Sequence, residues 1–207
     1  MQPFKVAIAG LGTVGAETAR IILTDGDMLS ARAGRPIELK AVSARDRSRD
    51  RGIDLAGVDW VDDAAALAGR DDIDCVLELI GGSEGVAYDL VLGAVKSGKS
   101  VVTANKALIA HHGSEIAKYC EEGDVGLGFE AAVAGGIPII KSLREGLAGN
   151  HIKRVYGILN GTCNYIMSVM RETGRSFEDV LADAQRLGYA EADPSFDVDG
   201  IDAAHKL

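Results

Sequence analysis

The stretch KVAIAGLGTVG (residues 5–15) decides the fold of this chain. Lys5 to Ala9 predicts a short buried strand, and Gly10, Gly12 and Gly15 follow it at the spacing G-x-G-x-x-G. A helix pattern opens inside the motif, with one face formed by Val14, Thr18, Ile21 and Ile22. A strand, a glycine turn and a helix in this order predict the first βα unit of a dinucleotide-binding fold.

The three glycines have different expected roles. Gly10 makes the tight turn, Gly12 lets the backbone approach a pyrophosphate, and Gly15 permits close packing of the helix. Free N–H groups at the start of the helix, at Thr13 and Val14, would hold the phosphates. Because the chain contains 26 glycines, the motif alone is weak, and an ordinary βα turn is the alternative. The position between a strand and an amphipathic helix favours the cofactor loop.

Strands and helices alternate over residues 1–130. Further strands are predicted at Ile37–Ser43, Cys75–Ile80, Ser100–Thr103 and Val125–Phe129, and helices at Val86–Lys96 and Leu108–Cys120. The alternation predicts an α/β domain of the Rossmann type, with a doubly wound parallel sheet.

A second domain is expected over residues 131–207, because the sequence pattern changes after Glu130. A small apolar run is followed by an alternating strand pattern at His151–Asn160, and helices are predicted at Thr162–Glu172 and Phe177–Leu187. This mixture predicts the start of an α+β domain.

Composition excludes several classes of protein. A net charge of −9 among 207 residues argues against a nucleic-acid partner, which would require a basic surface. No apolar run approaches the length of a membrane span. The three cysteines are too far apart for a CxxC pair, which favours a reduced, cytoplasmic setting. Neither a nucleic acid nor a membrane is therefore an expected partner.

The end of the second strand bears on the choice of cofactor. An NAD-selective fold usually has an acid there that binds the ribose hydroxyls. Here Arg45 occupies a position suited to a 2′-phosphate, and Asp46 follows it. NADP is favoured, NAD stays open because of Asp46, and Arg45 as a solvated loop charge is the alternative.

Four blocks together resemble the homoserine dehydrogenase family, in its order and spacing. They are VVTANK (101–106), EAAVAGGIP (130–138), GILNGTCNY (157–165) and residues 188–207. The resemblance implies an NAD(P)-dependent interconversion of L-aspartate 4-semialdehyde and L-homoserine, in the biosynthesis of threonine, methionine and isoleucine. It also implies a homodimer formed through the second domain.

The resemblance assigns the catalytic chemistry to two residues. Lys206 corresponds to the acid/base lysine of the family, and Asp202 lies four residues earlier, on the same helix face. Desolvation in a closed pocket favours the neutral form of a lysine and so allows proton exchange near neutral pH. A plain i,i+4 salt bridge is the alternative.

Substrate and cofactor contacts also follow from the resemblance. Glu191 and Asp197 correspond to substrate-binding acids, although a solvated acidic loop is the alternative. Gly161 and Thr162 would offer an N–H group and a hydroxyl to the substrate, unless Thr162 is only a helix N-cap. The remaining cofactor contacts are expected at Gly81 and Lys106, after the third and fourth strands.

The block at residues 130–138 resembles the monovalent-cation site of the family. The ligands would be the Glu130 side chain and the main-chain carbonyls of Val133, Gly135 and Ile137. An all-oxygen set suits a hard cation such as sodium.

The resemblance implies that the domain continues beyond Leu207, so the chain is expected to be truncated and weakly active or inactive. A noncatalytic NADP-binding fragment is therefore one alternative function. Another is an aldehyde dehydrogenase with Cys163 as nucleophile, for which the sequence offers no convincing base; Cys163 as a small packing residue is favoured.

Overall fold

A computed structural model describes residues 1–207, and the first 140 of them carry one sheet of six parallel strands. The strand order is β3-β2-β1-β4-β5-β6. The strands are β1 Phe4–Ala9, β2 Ile37–Ser43, β3 Asp59–Trp60, β4 Cys75–Glu78, β5 Ser100–Thr103 and β6 Leu127–Gly128. The predicted Rossmann-type parallel sheet is confirmed, with its change of winding direction between β1 and β4.

Four helices and a 3-10 turn lie between these strands, and two short helices follow β6. The helices are α1 Thr13–Thr24, α2 Gly26–Ala33, α3 Val86–Lys96, α4 Lys106–Gly123, α5 Glu130–Val133 and α6 Ile139–Lys141, with a 3-10 turn at Ala64–Gly69. A π-helical turn follows at Ser142–Gly146.

The strand side chains alternate between two apolar clusters, one on each face of the sheet. Ala7 and Ala9 of β1 join the cluster that contains α3 and α4. Val6 and Ile8 join the other cluster, which contains α1 residue Ala19. Burial on both faces explains why β1 is apolar throughout its second half.

Two strands are shorter than the sequence predicts. β4 ends at Glu78 rather than Ile80, because the N–H groups of Ile80 and Gly81 bind the Glu78 carboxylate instead of a neighbouring strand. β6 begins at Leu127 rather than Val125, because the N–H of Val125 binds the carbonyl of Cys120 at the end of α4.

Residues 141–207 form a second compact unit whose regular secondary structure is helical. Its helices are α7 Gly161–Thr173, α8 Phe177–Arg186, α9 Ser195–Val198 and α10 Ile201–Lys206. Its small core joins Ile166 of α7 to Val180 and Ala184 of α8. The prediction of a strand at residues 151–160 is wrong, because an alternating pattern forms a strand only beside a pairing partner and this segment pairs with no other strand.

The predicted domain boundary after residue 130 stays a prediction. The two compact units divide after Ile140 instead, since α5 packs against α4 and β5 of the sheet domain. No helix has both the length and the apolar character that a membrane crossing requires.

Candidate functional site

The glycine loop after β1 has room for a ligand at only one of its three glycines. Gly10 has φ +96°, and a Cβ there would overlap the carbonyl of Leu79. A Cβ on Gly15 would overlap the carbonyl of Gly10. At Gly12 a Cβ would meet nothing within 4 Å. The loop therefore uses Gly10 and Gly15 for its own packing and leaves open space at Gly12.

Helix α1 begins directly after this open position. Gly12 is its N-cap residue and supplies no side-chain hydrogen bond, while Thr13 and Val14, the first two helical residues, are exposed. The positive end of the helix dipole and the N–H groups of the first turn thus face the side that Gly12 leaves open. This geometry fits the pyrophosphate of a dinucleotide.

A basic loop follows β2, beside the glycine loop. Arg45 is exposed at the end of the strand. The Asp46 carboxylate accepts the hydroxyl and the N–H of Ser48, and these hydrogen bonds lower its pKa. Arg51 donates from Nε to the carbonyl of Leu11 at 3.1 Å and from Nη2 to that of Asp46 at 2.6 Å. Arg51 therefore ties the basic loop to the glycine loop, a role that its position in the sequence did not reveal.

A shallow pocket of about 260 Å³ opens on this loop. Trp60 of β3 lies in its wall, with the guanidinium of Arg47 at 5.8 Å and that of Arg51 at 5.4 Å from the ring centroid. An apolar wall with cationic groups can hold a base and a phosphate.

Loops after β4 and β5 meet at a buried carboxylate, Glu78, which is 0% exposed. Gly81 has φ +92° and stands in the first loop. Lys106 begins α4 after the second loop, with Asn105 as the N-cap residue. The predicted cofactor contacts Gly81 and Lys106 therefore follow neighbouring strands at the same edge of the sheet.

A cleft of about 560 Å³ lies within the second unit. It is lined by Asn160, Gly161, Thr162, Tyr165, Gly188, Tyr189, Asp197, Asp202 and Lys206. Five of the six residues that the sequence assigns to catalysis and substrate binding are in this lining. The sixth, Glu191, is exposed outside it, and its main-chain carbonyl accepts the Gln185 side chain.

An ion pair on α10 forms one wall of the cleft. Lys206 Nζ lies 2.6 Å from Asp202 Oδ2, with the two side chains 24% and 4% exposed. The ammonium also donates to the carbonyl of Leu159 at 2.8 Å. Because the pair is separated by one helical turn, the short helix itself sets the relative position of acid and amine.

Asn160 connects this pair to the rest of the cleft. Its Nδ2 donates to Asp202 Oδ2 at 2.8 Å and to Asp197 Oδ1 at 2.7 Å. Its Oδ1 accepts the N–H of Cys163 and so caps α7. One amide thus joins the start of α7 to α9 and α10. The sequence placed Asn160 between a strand and a helix but did not identify this bridging role.

The Thr162 hydroxyl donates to the carbonyl of Tyr189 at 2.7 Å. Since Asn160 caps α7, the alternative that Thr162 is the N-cap is wrong. Tyr165 and Tyr189 line the same cleft, with their ring centroids 5.0 Å apart.

Cys163 has no environment that would activate a thiolate. Burial raises the pKa of this thiol, and the nearby carboxylates of Asp197 and Asp202 raise it further. The sulfur atom lies 3.2 Å from the carbonyl of Asp197, to which the thiol can donate. A nucleophilic cysteine needs a lowered pKa, so this geometry argues against the aldehyde dehydrogenase alternative.

The expected cation ligands stand at the end of the first unit. Glu130 begins α5, and its Oε1 accepts the N–H of Ile140 at 2.8 Å. Gly135 has φ +57°, and Ile137 is exposed. The Ile137 carbonyl accepts the N–H of Ile139 at 2.8 Å.

Comparison with known proteins gives one consistent result. Residues 10–130 match the family described as homoserine dehydrogenase, NAD binding domain, and residues 138–207 match the family described as homoserine dehydrogenase. A homoserine dehydrogenase of Pseudomonas aeruginosa is 54% identical over 207 residues, which are 100% of this chain and 47% of that protein. The chain spans about half the length of such relatives.

Comparison with solved structures points to the same family. The crystal structure of a homoserine dehydrogenase from Thiobacillus denitrificans superposes with a TM-score of 0.88 at 48% identity, over 100% of this chain and 47% of that one. A hyperthermophilic archaeal homoserine dehydrogenase in complex with NADPH gives a TM-score of 0.82 at 29% identity, over 99% of this chain and 67% of that one.

Proposed function

Because the chain belongs to the homoserine dehydrogenase family, we propose that it supplies the cofactor site and the acid/base pair of an NAD(P)-dependent oxidoreductase. The reaction interconverts L-aspartate 4-semialdehyde and L-homoserine, in the biosynthesis of threonine, methionine and isoleucine. The observation that carries this proposal is the Lys206–Asp202 pair in the wall of a polar cleft.

Lys206 is the proton donor and acceptor in this proposal. The bound nicotinamide cofactor supplies or accepts the hydride, and the substrate oxygen must then gain or lose a proton. Asp202 holds the ammonium of Lys206 in position, and Asn160 holds Asp202 from the other side. Lys206 lines the cleft, and its side chain is 24% exposed.

The same cleft would bind the amino acid portion of the substrate. Asp197 offers a carboxylate for the α-ammonium, and the N–H groups at the start of α7, at Gly161 and Thr162, suit the α-carboxylate. Glu191 is proposed as a second substrate acid on the family resemblance alone, because its side chain is exposed outside the lining.

The cofactor would bind along the carboxyl edge of the sheet. The backbone at Gly12, Thr13 and Val14 would hold the pyrophosphate, in a loop whose shape depends on Gly10 and Gly15. Gly81 and Lys106 would face the nicotinamide half. We propose NADP rather than NAD, since Arg45 is exposed and the Asp46 carboxylate is engaged by Ser48. Titration with both cofactors tests this. Arg45→Ala should weaken NADP binding and leave NAD binding unchanged; equal effects on both would refute the preference.

A sodium-like ion is proposed at Glu130 with the carbonyls of Val133, Gly135 and Ile137. The left-handed backbone at Gly135 supports a tightly curved loop whose carbonyls can converge. The role would be to brace this segment, since no histidine or thiol contributes.

A homodimer and a cytoplasmic location are proposed for the whole protein. The observation that supports association is a run of exposed apolar side chains in the second unit, Ile152, Val155, Tyr156 and Ile158.

Homoserine oxidation with NADP and with NAD tests the activity, measured on the 207-residue chain and on the whole protein. Turnover by the whole protein is the expected result. Cofactor binding without turnover by both would favour the second candidate, a noncatalytic NADP-binding protein.

A further inference from the structure

Glu78 is the most deeply buried carboxylate of the sheet domain, at 0% exposure. It lies outside the glycine loop and outside the four blocks that resemble the family. It is the last residue of β4, at the carboxyl edge of the sheet where doubly wound folds bind ligands. A buried carboxylate is costly unless donors satisfy it. The donors that bind this carboxylate therefore indicate which segments of the chain it holds in position.

The donors come from two different loops. Glu78 Oε1 accepts the N–H of Ile80 at 2.8 Å and that of Gly81 at 3.0 Å, both in the loop after β4. Glu78 Oε2 accepts the hydroxyl of Thr103, the last residue of β5, at 2.5 Å. One carboxylate thus holds the ends of two neighbouring strands together.

Three further hydrogen bonds extend the network to α4. The Thr103 Oγ accepts the N–H of Asn105 at 2.9 Å, so its single hydrogen is available for Glu78. Asn105 Nδ2 donates to the carbonyl of Gly82 at 2.5 Å, and Asn105 Oδ1 caps α4 at the N–H of Leu108. Glu78 is the acceptor in each of its three hydrogen bonds. The loop with Gly81 and the start of α4 at Lys106 are consequently fixed to one buried group.

We propose that Glu78 is a positioning residue for the nicotinamide half of the cofactor site, acting through the loop at Gly81 and Gly82 and through the start of α4 at Lys106. The inference rests on the proposed function. In a sheet of order β3-β2-β1-β4-β5-β6, each half binds one nucleotide. The basic loop after β2, which contains Arg45, assigns the adenosine side to the half of the sheet formed by β1 to β3. The loops after β4 and β5 therefore serve the nicotinamide side.

Two binding probes separate positioning from stability. NADP contains both nucleotides, whereas adenosine 2′,5′-bisphosphate contains only the adenosine half. In the 207-residue chain, E78Q keeps the size of the side chain but offers one acceptor and one donor group, so it cannot accept from both loops. We expect the Kd for NADP to rise by about tenfold or more, as for loss of a hydrogen bond to a charged group. The Kd for adenosine 2′,5′-bisphosphate should change less than about twofold.

Thr103 supplies an independent variant and a rescue. T103V removes the hydroxyl that joins the two loops, while T103S retains it. T103V should weaken NADP selectively, and T103S should bind NADP almost as the wild type does. Asp63→Asn is the matched control, because the exposed Asp63 carboxylate accepts only the N–H of Ala65, in the turn that it caps. Hydrogen exchange at the N–H groups of Ile80 and Gly81 should accelerate in E78Q and not in the control.

The outcomes divide clearly. Selective loss of NADP binding in E78Q and in T103V, with rescue by T103S, supports the proposal, and the Thr103 variants decide it if E78Q does not fold. Parallel loss of both probes, or NADP binding that is unchanged in T103V, overturns it. If the wild-type chain binds neither probe, the proposed cofactor site fails and the inference fails with it.

Discussion

Asp202 and Lys206 should prove energetically coupled when each is replaced singly and together. The variants are Asp202→Asn and Lys206→Met, which remove one charge each and roughly preserve side-chain size. In the structure the two charged groups are 2.6 Å apart, and their side chains are 4% and 24% exposed. The pair is thus intermediate between a surface salt bridge and a buried one.

The expected magnitude follows from this geometry. Two unit charges at this separation attract by about 6 kcal/mol at an effective dielectric constant of about 20. Desolvation of the buried carboxylate offsets most of that attraction. After each single substitution the remaining partner keeps a hydrogen bond, from Asn160 to Asp202 or from Lys206 to the carbonyl of Leu159. We therefore expect a coupling free energy of about 1–2 kcal/mol.

Urea unfolding of the 207-residue chain measures this coupling through a double-mutant cycle. Turnover of the whole protein gives the functional readout: Lys206→Met should lower kcat by about 10² or more while the Kd for NADP stays within about twofold. Lys106→Met is the comparison, as the nearest alternative donor. Additive single effects would refute the structural argument, and near-normal turnover in Lys206→Met with loss in Lys106→Met would reverse the catalytic assignment.

Three further predictions concern other parts of the chain. Gly10→Ala should lower the free energy of unfolding by about 3 kcal/mol or more in urea, because strain at positive φ adds to overlap with a carbonyl. Gly12→Ala should instead leave stability unchanged and weaken NADP binding in a titration. Loss of stability in Gly12→Ala but not in Gly10→Ala would contradict the loop assignment. The rate of Cys163 alkylation by iodoacetamide should still increase above about pH 8.5, since burial raises the pKa of its thiol. Cys75, whose pKa burial raises to about 12, should stay unlabelled. A Cys163 rate that reaches its plateau below about pH 8.5 would oppose the prediction. Glu130→Ala should cost about 1 kcal/mol and abolish any rise of Tm with sodium, without loss of NADP binding; a sodium response that survives would exclude this site.

The parts of the fold that local sequence determines could be predicted. The strand, glycine turn and helix at residues 5–15 are contiguous, and the contact that excludes a Cβ at Gly15, with the Gly10 carbonyl, lies within the same segment. The α10 pair is also local, because a spacing of four residues brings Asp202 and Lys206 together on any helix. These features therefore agree in sequence and structure.

Features that depend on distant segments could not be predicted. The pattern at residues 151–160 alternates as a strand does, yet strand formation requires a neighbour that the sequence pattern does not specify. Asn160 bonds residues 37 and 42 positions away, and Glu78 bonds Thr103 at a separation of 25. Only tertiary structure brings such partners together, so the bridging amide and the buried carboxylate emerged from the structure alone.

Glu78 and Asp202 are the two buried acids of the chain. Glu78 lies at the proposed cofactor site, and Asp202 lies at the proposed substrate cleft. A protein is often as stable or more stable when apolar residues of similar volume replace a buried ionic group. The free energy of folding alone therefore does not explain why a carboxylate is buried. Each of these two carboxylates instead accepts donors from separate segments: Glu78 from the loops after β4 and β5, and Asp202 from Asn160 and Lys206. Such an acceptor fixes the distance and angle between its donors more narrowly than apolar packing does. Hydride and proton transfer both require groups held within a fraction of an ångström. In the proposed function, each buried carboxylate therefore sets geometry, Glu78 at the proposed nicotinamide site and Asp202 in the proposed acid/base pair.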